Sequence, residues 1–269
     1  MKTGSDLRAT VFLGGGRITR ALVAGLRLAK YEKPIVVHDR NPGKLRQLKK
    51  QYGVAIEPNL HRAVEQAGLL IIAVRPDSVS NLLLEIEIRR PLTVVNLAAG
   101  IPLSKLRARL RSPARWVRAM PSPVSRNGRG LTALTFDRAF PRNAKAEVRS
   151  FFEKVGTVLE IPENQFDAFT VTYSSSHGYH ALAALATSAQ RLGLNRETAL
   201  TAAAHALADG ILSCREGRIP LARLLEEAAT PGGIAAGVMN AMDSSGYQRS
   251  IQQGLRAGMA RARKNAKRT

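Results

Sequence analysis

The chain has 269 residues, 45% of them hydrophobic, which is enough to bury a sizeable core and argues against wholesale disorder. Lys and Arg number 41 against 20 Asp and Glu, and the formal net charge of +21 raises nucleic acid as a partner. The single cysteine, Cys214, excludes an internal disulfide and a thiolate zinc cluster. With neither a secretory signal nor a membrane span in the sequence, we expect a soluble, cytoplasmic protein.

Short apolar runs alternate with amphipathic helical patterns over the first 161 residues. The predicted strands cover residues 9–13, 34–38, 69–74, 93–97, 115–119, 131–136 and 157–160. The predicted helices cover residues 18–29, 42–52, 59–66, 77–86, 103–110 and 144–155. Nearly continuous apolar strands separated by helices are typical of a parallel sheet covered on both faces. We therefore predict a doubly wound α/β domain over residues 1–161.

From residue 162 onward, strand signals vanish and alanine-rich helical segments take over. Asn195 is a good N-cap for a helix that continues past Leu212. This helix carries small residues on both faces, as does the segment 181–192, and such helices are packed on two sides. A helical domain of this size cannot cover those faces alone. We predict an all-α dimerisation domain over residues 162–269 and expect a dimer at least.

The first predicted strand runs into Gly14-Gly15-Gly16-Arg17-Ile18-Thr19, directly before a helix. In a dinucleotide-binding fingerprint, Gly14 makes the tight turn and Gly16 lets the backbone approach a pyrophosphate at the helix N-terminus. We expect Arg17 and Ile18 to open that helix beside the cofactor. The third fingerprint position, normally glycine or alanine, is Thr19. The position of the motif at the first strand–helix junction indicates a Rossmann domain.

The second strand ends at Asp39-Arg40, where the residues point to different cofactors. A carboxylate at this place takes the ribose hydroxyls of NAD, whereas a guanidinium grips the 2′-phosphate of NADP. The residues alone leave this choice open. Ligands of open α/β sheets bind at the carboxyl ends of the strands, and two further strands end in small residues there. We accordingly add Ala73, Val74, Arg75, Pro76, Ala98, Ala99 and Gly100 to the predicted cofactor site.

The order of these segments resembles the pyrroline-5-carboxylate reductase family across nearly the whole chain. Besides the fingerprint, the resemblance rests on six segments, which are Asp39-Arg40-Asn41-Pro42-Gly43-Lys44-Leu45, Ala73-Val74-Arg75-Pro76, Leu97-Ala98-Ala99-Gly100-Ile101, Arg118-Ala119-Met120-Pro121, Gly128-Arg129-Gly130-Leu131-Thr132-Ala133-Leu134 and Thr230-Pro231-Gly232-Gly233. It implies a Rossmann domain, a helical dimerisation domain, and hydride transfer from NADPH or NADH to 1-pyrroline-5-carboxylate, which gives L-proline. NADPH is the usual donor, so we expect NADP, with NAD possible.

The resemblance also implies a substrate site at two helix starts in the second domain. The Pro231-Gly232-Gly233 loop is expected to bind the substrate carboxylate through backbone amides, and Ser175 and Ser176 are expected to lie beside it. We name His177 and Thr230 as catalytic candidates. Thr230 lies on the loop expected to contact the substrate, and His177 is named because the pKa of a histidine lies near neutrality, so that it could donate a proton to an imine nitrogen. Plain helix capping by the serines and a structural role for His177 are the alternatives.

Departures from the family pattern cluster on the substrate side. This chain has Ser122-Pro123-Val124 after Met120-Pro121, Ser174-Ser175-Ser176-His177 where a Gly-Ser-Gly-Pro segment is usual, and Ile234-Ala235 in place of two threonines. These departures favour one alternative function, a reductase that acts on a different cyclic imine in a specialised pathway. The basic composition leaves a second alternative, a non-catalytic dimer of the same fold. We expect no metal site, no membrane association and no nucleic-acid function.

Overall fold

A computed structural model describes residues 8–174, 176–217 and 219–268. Its contacts divide the chain into two compact units. The first contains the described residues up to 172 together with 258–268, and the second contains those of 173–257. Sequence patterning predicts the domain change at 161/162, whereas contacts join a helix at 163–172 and the last residues to the first unit.

The first unit alternates strands and helices. Its strands are β1 (Ala9–Leu13), β2 (Ile35–His38), β3 (Ala55–Ile56), β4 (Ala67–Ile72), β5 (Leu92–Asn96), β6 (Ala114–Pro121), β7 (Gly130–Phe136) and β8 (Gly156–Glu160). Its helices are α1 (Arg17–Leu28), α2 (Pro42–Tyr52), α3 (Leu60–Gln66), α4 (Pro76–Glu85), α5 (Leu103–Arg109), α6 (Arg142–Glu153) and α7 (Glu163–Thr172). All seven predicted strands and six predicted helices are present, within a few residues at each end.

The eight strands form one sheet in the order β3-β2-β1-β4-β5-β6-β7-β8. All neighbouring pairs are parallel except β6 and β7, which are antiparallel. The chain between these two strands, 122–129, includes only a short 3-10 turn, and a parallel crossover needs a dozen residues or more. The strand order reverses between β1 and β4, so a crevice for a ligand is expected there.

Both faces of the sheet are covered. In β1, Val11 and Leu13 pack into one core with Trp116, while Phe12 packs on the other face with Leu22 and Phe152. Every residue of β1 is buried, because a central parallel strand has helices on both sides. This explains the unbroken apolar run in the sequence.

The second unit is helical. It contains α8 (Ser176–Arg191), α9 (Arg196–Glu216), α10 (Leu221–Ala228), α11 (Ile234–Ser244) and the start of α12 (Tyr247–Arg268). The Asn195 side chain accepts a hydrogen bond from the Thr198 amide at 2.9 Å, which confirms the predicted N-cap of α9. The described unit leaves many apolar side chains exposed, including Leu200, Ile211, Leu221, Leu225, Ile234 and Val238.

Candidate functional site

The glycine turn after β1 is built by close backbone approach. Gly14 has φ +111°, and its amide donates to the His38 carbonyl at 2.7 Å. A Cβ at this position would lie 2.6 Å from the Ala73 carbonyl oxygen, so only glycine fits between the ends of β1 and β4. The buried Thr19 hydroxyl donates to the Gly14 carbonyl at 2.5 Å. Threonine at the third fingerprint position therefore braces the turn from within α1.

The N-terminus of α1 is open toward solvent. Gly16 is its N-cap residue, no side chain caps the helix, and a Cβ on Gly16 would meet nothing within 4 Å. Arg17 and Ile18 form the first turn, as predicted from the sequence. The first amides of a helix have no intrahelical acceptors and carry partial positive charge, so they favour an anion. This uncapped, unobstructed helix start fits the pyrophosphate of a dinucleotide.

A cleft of about 470 Å³ opens beside this turn, at the reversal in strand order. Seven of the predicted cofactor residues line it together, namely Gly14, Gly16, Asp39, Arg40, Ala73, Val74 and Arg75. Pro76 begins α4 immediately after Arg75. Ala98, Ala99 and Gly100 follow β5, one strand beyond, and do not line this cleft. The sequence reasoning missed Lys44, Ser78 and Asn81, which also line it. Their only sequence signal is their place near the starts of α2 and α4, within the first two turns.

Asp39, at the end of β2, braces two backbone turns. Its Oδ2 accepts from the Gly15 amide at 2.7 Å and its Oδ1 from the Asn41 amide at 2.8 Å, while Lys44 Nζ lies 3.4 Å from Oδ2. Burial alone would raise the pKa of this carboxyl, but the two amides and the Lys44 ammonium together outweigh it and hold the pKa below its usual value. The carboxylate is therefore charged and already bonded at both oxygens.

Arg40 points along the same cleft edge and forms an ion pair with Glu85 at 2.5 Å. The Arg40 side chain is 73% exposed and that of Glu85 46% exposed. Exposed pairs of this kind contribute little free energy, so the guanidinium can leave Glu85 for a better anion at small cost. Arg40 and Lys44 together put two cations on the same wall as Asp39.

The predicted substrate residues lie at two helix starts of the second unit. At α8, the Ser174 and Ser176 hydroxyl oxygens are 2.7 Å apart, and the exposed His177 is the second residue of the helix. Ser175 lies outside the described residues. The Ser174 hydroxyl oxygen also accepts from the Ser176 amide at 3.4 Å, which is the kind of backbone contact that a capping side chain makes.

The other predicted substrate segment is the turn before α11. The Gly233 amide donates to the Thr230 carbonyl at 2.9 Å, and Gly232 has φ +75°. Gly233 is the N-cap of α11, which no side chain caps. Pro231 and Thr230 are exposed. The Gly233 amide thus closes the turn, and the first amides of α11 that follow it have no side-chain cap.

Two features of the described residues bear on other classes of function. No group of three or more His, Cys, Asp or Glu side chains within them is placed to hold a metal ion. Nor does any helix in the described ranges combine the length and hydropathy needed to cross a membrane.

Comparisons with known proteins agree over both parts of the chain. Residues 10–100 match the family described as NADP oxidoreductase coenzyme F420-dependent, and residues 163–265 match the family described as pyrroline-5-carboxylate reductase dimerisation. The pyrroline-5-carboxylate reductase of Thermus thermophilus is 33% identical over 255 residues, covering 93% of this chain and 95% of that protein. The corresponding Mycobacterium leprae reductase is 27% identical and covers 96% and 97%.

Solved structures share the fold. The pyrroline carboxylate reductase of Plasmodium falciparum, crystallised with NADP bound, has a TM-score of 0.86 at 18% identity and covers 98% of this chain and 100% of that chain. The fold, the glycine turn and the whole-length similarity to the Thermus reductase agree with one another. The chain belongs to the pyrroline-5-carboxylate reductase family.

Proposed function

We propose that this protein reduces 1-pyrroline-5-carboxylate to L-proline with a reduced nicotinamide dinucleotide. The observation that carries the proposal is the 33% identity to the Thermus reductase over nearly the full length of both chains. The cleft at the β1–β4 reversal supports it, because the cleft offers an uncapped helix start for the pyrophosphate and a braced turn beneath it.

The reaction breaks the π bond of a C=N group, adding a hydride to carbon and a proton to nitrogen. The bound cofactor supplies the hydride. A protonated imine is already electrophilic, so the protein mainly has to position it. The Gly232 amide and the first amides of α11 bind the substrate carboxylate after the turn that the Gly233 amide closes onto the Thr230 carbonyl. Pro231 shapes this turn, and Ser176 lies beside the pyrroline ring of the substrate. Thr230 and His177 are the two candidates for a hydrogen bond to the imine nitrogen.

We propose NADPH as the preferred donor, with Arg40 and Lys44 holding the 2′-phosphate. Arg40 gives up only an exposed ion pair, and Lys44 is within 4 Å of a carboxylate that has two backbone donors of its own. Asp39 remains able to accept from a ribose hydroxyl, because a carboxylate has more than two lone pairs. NADH use at lower affinity is therefore expected.

The Arg40→Ala variant tests this assignment. It should raise KM for NADPH about tenfold and leave KM for NADH nearly unchanged, because a charge-assisted bond to phosphate is lost only with NADPH. Arg46→Ala removes an exposed cation of α2 that does not line the cleft and is the matched control. Equal losses with both cofactors would contradict the assignment.

We further propose a homodimer or larger homo-oligomer in the cytoplasm. The match to a dimerisation family and the exposed apolar side chains of α9, α10 and α11 support the oligomer. The single cysteine fits a reducing compartment. Sedimentation of the purified protein tests the oligomer, and a monomer at micromolar concentration would contradict it.

The first experiment measures oxidation of NADPH and NADH by the purified protein with 1-pyrroline-5-carboxylate. Turnover with production of proline supports the proposal. Cofactor binding without turnover would refute this substrate and favour another cyclic imine. A specific observation already points that way, since Ile234, 90% exposed, stands directly after the Gly232-Gly233 turn. Absence of both turnover and cofactor binding would refute the enzyme assignment and favour the non-catalytic dimer.

A further inference from the structure

The loop between β5 and α5, residues 97–102, follows the strand next to β4 and lies one strand beyond the cofactor cleft, on the side away from Asp39. The Leu97 amide donates to the Ile72 carbonyl at 2.9 Å, and the residue after Ile72 lines the cleft. Neighbouring strands are about 4.8 Å apart, so the loop after β5 lies about one strand spacing from the end of β4. A dinucleotide lies across the reversal in strand order, with one half on each side. Because Asp39 and Arg40 mark the adenosine side, this loop belongs to the nicotinamide side.

The loop is held from inside the sheet unit. The side chain of Asn96, 1% exposed, donates to the Ala98 carbonyl at 3.1 Å and accepts from the Ala98 amide at 3.3 Å. At the other end, the Leu103 amide donates to Glu163 Oε1 at 3.0 Å, and this carboxylate is paired with the buried Arg118 at 2.9 Å. These bonds fix both ends of the loop.

The middle of the loop is held by the end of the chain. Asn265 Nδ2 donates to the Ala99 carbonyl at 3.2 Å, across 166 residues of sequence. Gly100 has φ +77°, and a Cβ there would lie 2.7 Å from the Ala262 carbonyl oxygen and 2.8 Å from its Cα. Ala262 is 5% exposed. Glycine is thus required at 100 for the backbones of the loop and of α12 to meet.

The same helix end also rests on α7. A Cβ on Gly258 would lie 2.9 Å from Val171 Cγ1, so α12 approaches α7 closely at this point. Since α7 carries Glu163, the helix that anchors one end of the loop also supports the segment that holds its middle. The contact explains why residues 258–268 group with the sheet unit.

We propose that residues 258–268 form a C-terminal clasp that positions the loop 97–102 against the nicotinamide half of the cofactor, with Asn265 and Gly100 as positioning residues. The side chains at 98–100 are no larger than a methyl group, so the shape of this wall is set by its backbone. Hydride transfer depends steeply on the placement of the reacting atoms, and a wall displaced by a fraction of an ångström slows it. The proposal rests on the proposed dinucleotide function.

The test compares two ligands that share the adenosine half. NADP⁺ and 2′,5′-ADP binding are measured by calorimetry for wild type, Asn265→Ala and Lys264→Ala, the last being an exposed neighbour on the same helix. We expect Asn265→Ala to weaken NADP⁺ binding about three- to tenfold, as loss of one hydrogen bond does, and to leave 2′,5′-ADP binding unchanged. Lys264→Ala should leave the ratio of the two affinities at the wild-type value.

Kinetics supply a second readout. With NADPH deuterated at the transferred position, Asn265→Ala should lower kcat and raise the isotope effect, because hydride transfer becomes slower relative to product release. Gly100→Ala should do the same more strongly, and Asn265→Ala keeps the proposal testable if that variant fails to fold. An unchanged NADP⁺ affinity, or equal losses for both ligands, would overturn the proposal. Binding is measured without substrate, so absence of turnover with 1-pyrroline-5-carboxylate would not disturb the comparison.

Discussion

Two substitutions in the glycine turn, at positions two residues apart, should affect different properties of the protein, stability in one case and cofactor affinity in the other. Gly14→Ala should destabilise the sheet unit, whereas Gly16→Ala should leave stability nearly unchanged and weaken cofactor binding. The distinction comes from the backbone, since Gly14 has φ +111° between two strand ends and Gly16 has φ −77° beside open space.

The magnitude for Gly14 has two sources. A non-glycine residue held at this φ costs about 1–3 kcal/mol. The added Cβ would also lie 2.6 Å from the Ala73 carbonyl oxygen and 2.9 Å from its carbon, both backbone atoms that cannot rotate away. Forcing them apart costs about 1–3 kcal/mol more. We expect a loss of about 2–6 kcal/mol in the free energy of unfolding.

Gly16 lacks both costs. Its φ is open to any residue, and its Cβ would have no neighbour within 4 Å. The methyl group would instead occupy the space through which a pyrophosphate approaches the start of α1. We expect a change in stability below about 1 kcal/mol and at least a tenfold loss of NADPH affinity.

Urea unfolding at fixed protein concentration measures stability, and quenching of protein fluorescence measures NADPH binding. A Gly14→Ala variant as stable as wild type would refute the steric reasoning. A Gly16→Ala variant that binds NADPH normally would refute the placement of the pyrophosphate. Equal destabilisation by both substitutions would show that Gly14 and Gly16 do not have the separate roles in folding and in cofactor binding assigned to them.

Three further predictions concern stability. Arg118→Leu should cost about 2–4 kcal/mol in urea unfolding, because it leaves Glu163 without its cation in a partly buried place, and a loss under about 1 kcal/mol would contradict this. Asn195→Ala should cost about 1 kcal/mol through the lost bond to the Thr198 amide, and no change would show that the cap is dispensable. Asp39→Asn should be less stable than wild type at neutral pH. The pKa of Asp39 is lowered in the folded protein, so its contribution to the free energy of unfolding is present above the usual carboxyl range and is lost as pH falls through the lowered pKa. The unfolding curves of the two proteins should therefore converge in acid. A difference that stays constant with pH would refute the assignment.

Much of the sheet unit could be predicted from local patterns. The run 9–13 was predicted as a strand with the bounds that β1 has, and 42–52 as a helix with the bounds of α2, because burial on both faces and amphipathic spacing leave a periodic signal. The short β3 was missed, since two residues carry no periodicity. The antiparallel direction of β7 was also missed. It follows from the short connection after β6, which a count of residues between strands could have indicated.

The candidate site also has features that the sequence could predict and features that it could not. The fingerprint glycines and the residues after β2 and β4 could be predicted, because parallel strands bring their carboxyl ends to one edge whatever the details of packing. The bonding of Asp39 to the Gly15 amide could not, since the acid at this place is expected to face a ribose and nothing in the sequence shows that a backbone donor takes it first. The role of Thr19 as a brace is equally invisible, because a hydroxyl is chosen by its partner in space.

The sequence by itself determined the order and type of the elements, the position of the glycine turn and the edge of the sheet where a dinucleotide would lie. These depend on periodicity and on backbone freedom, which are written in neighbouring residues. Only the tertiary structure decided that Arg118 joins β6 to α7 through Asp167, and that Asn265 reaches the loop after β5. These contacts join residues 49 and 166 positions apart, and a partner at that distance leaves no trace in the pattern of either segment.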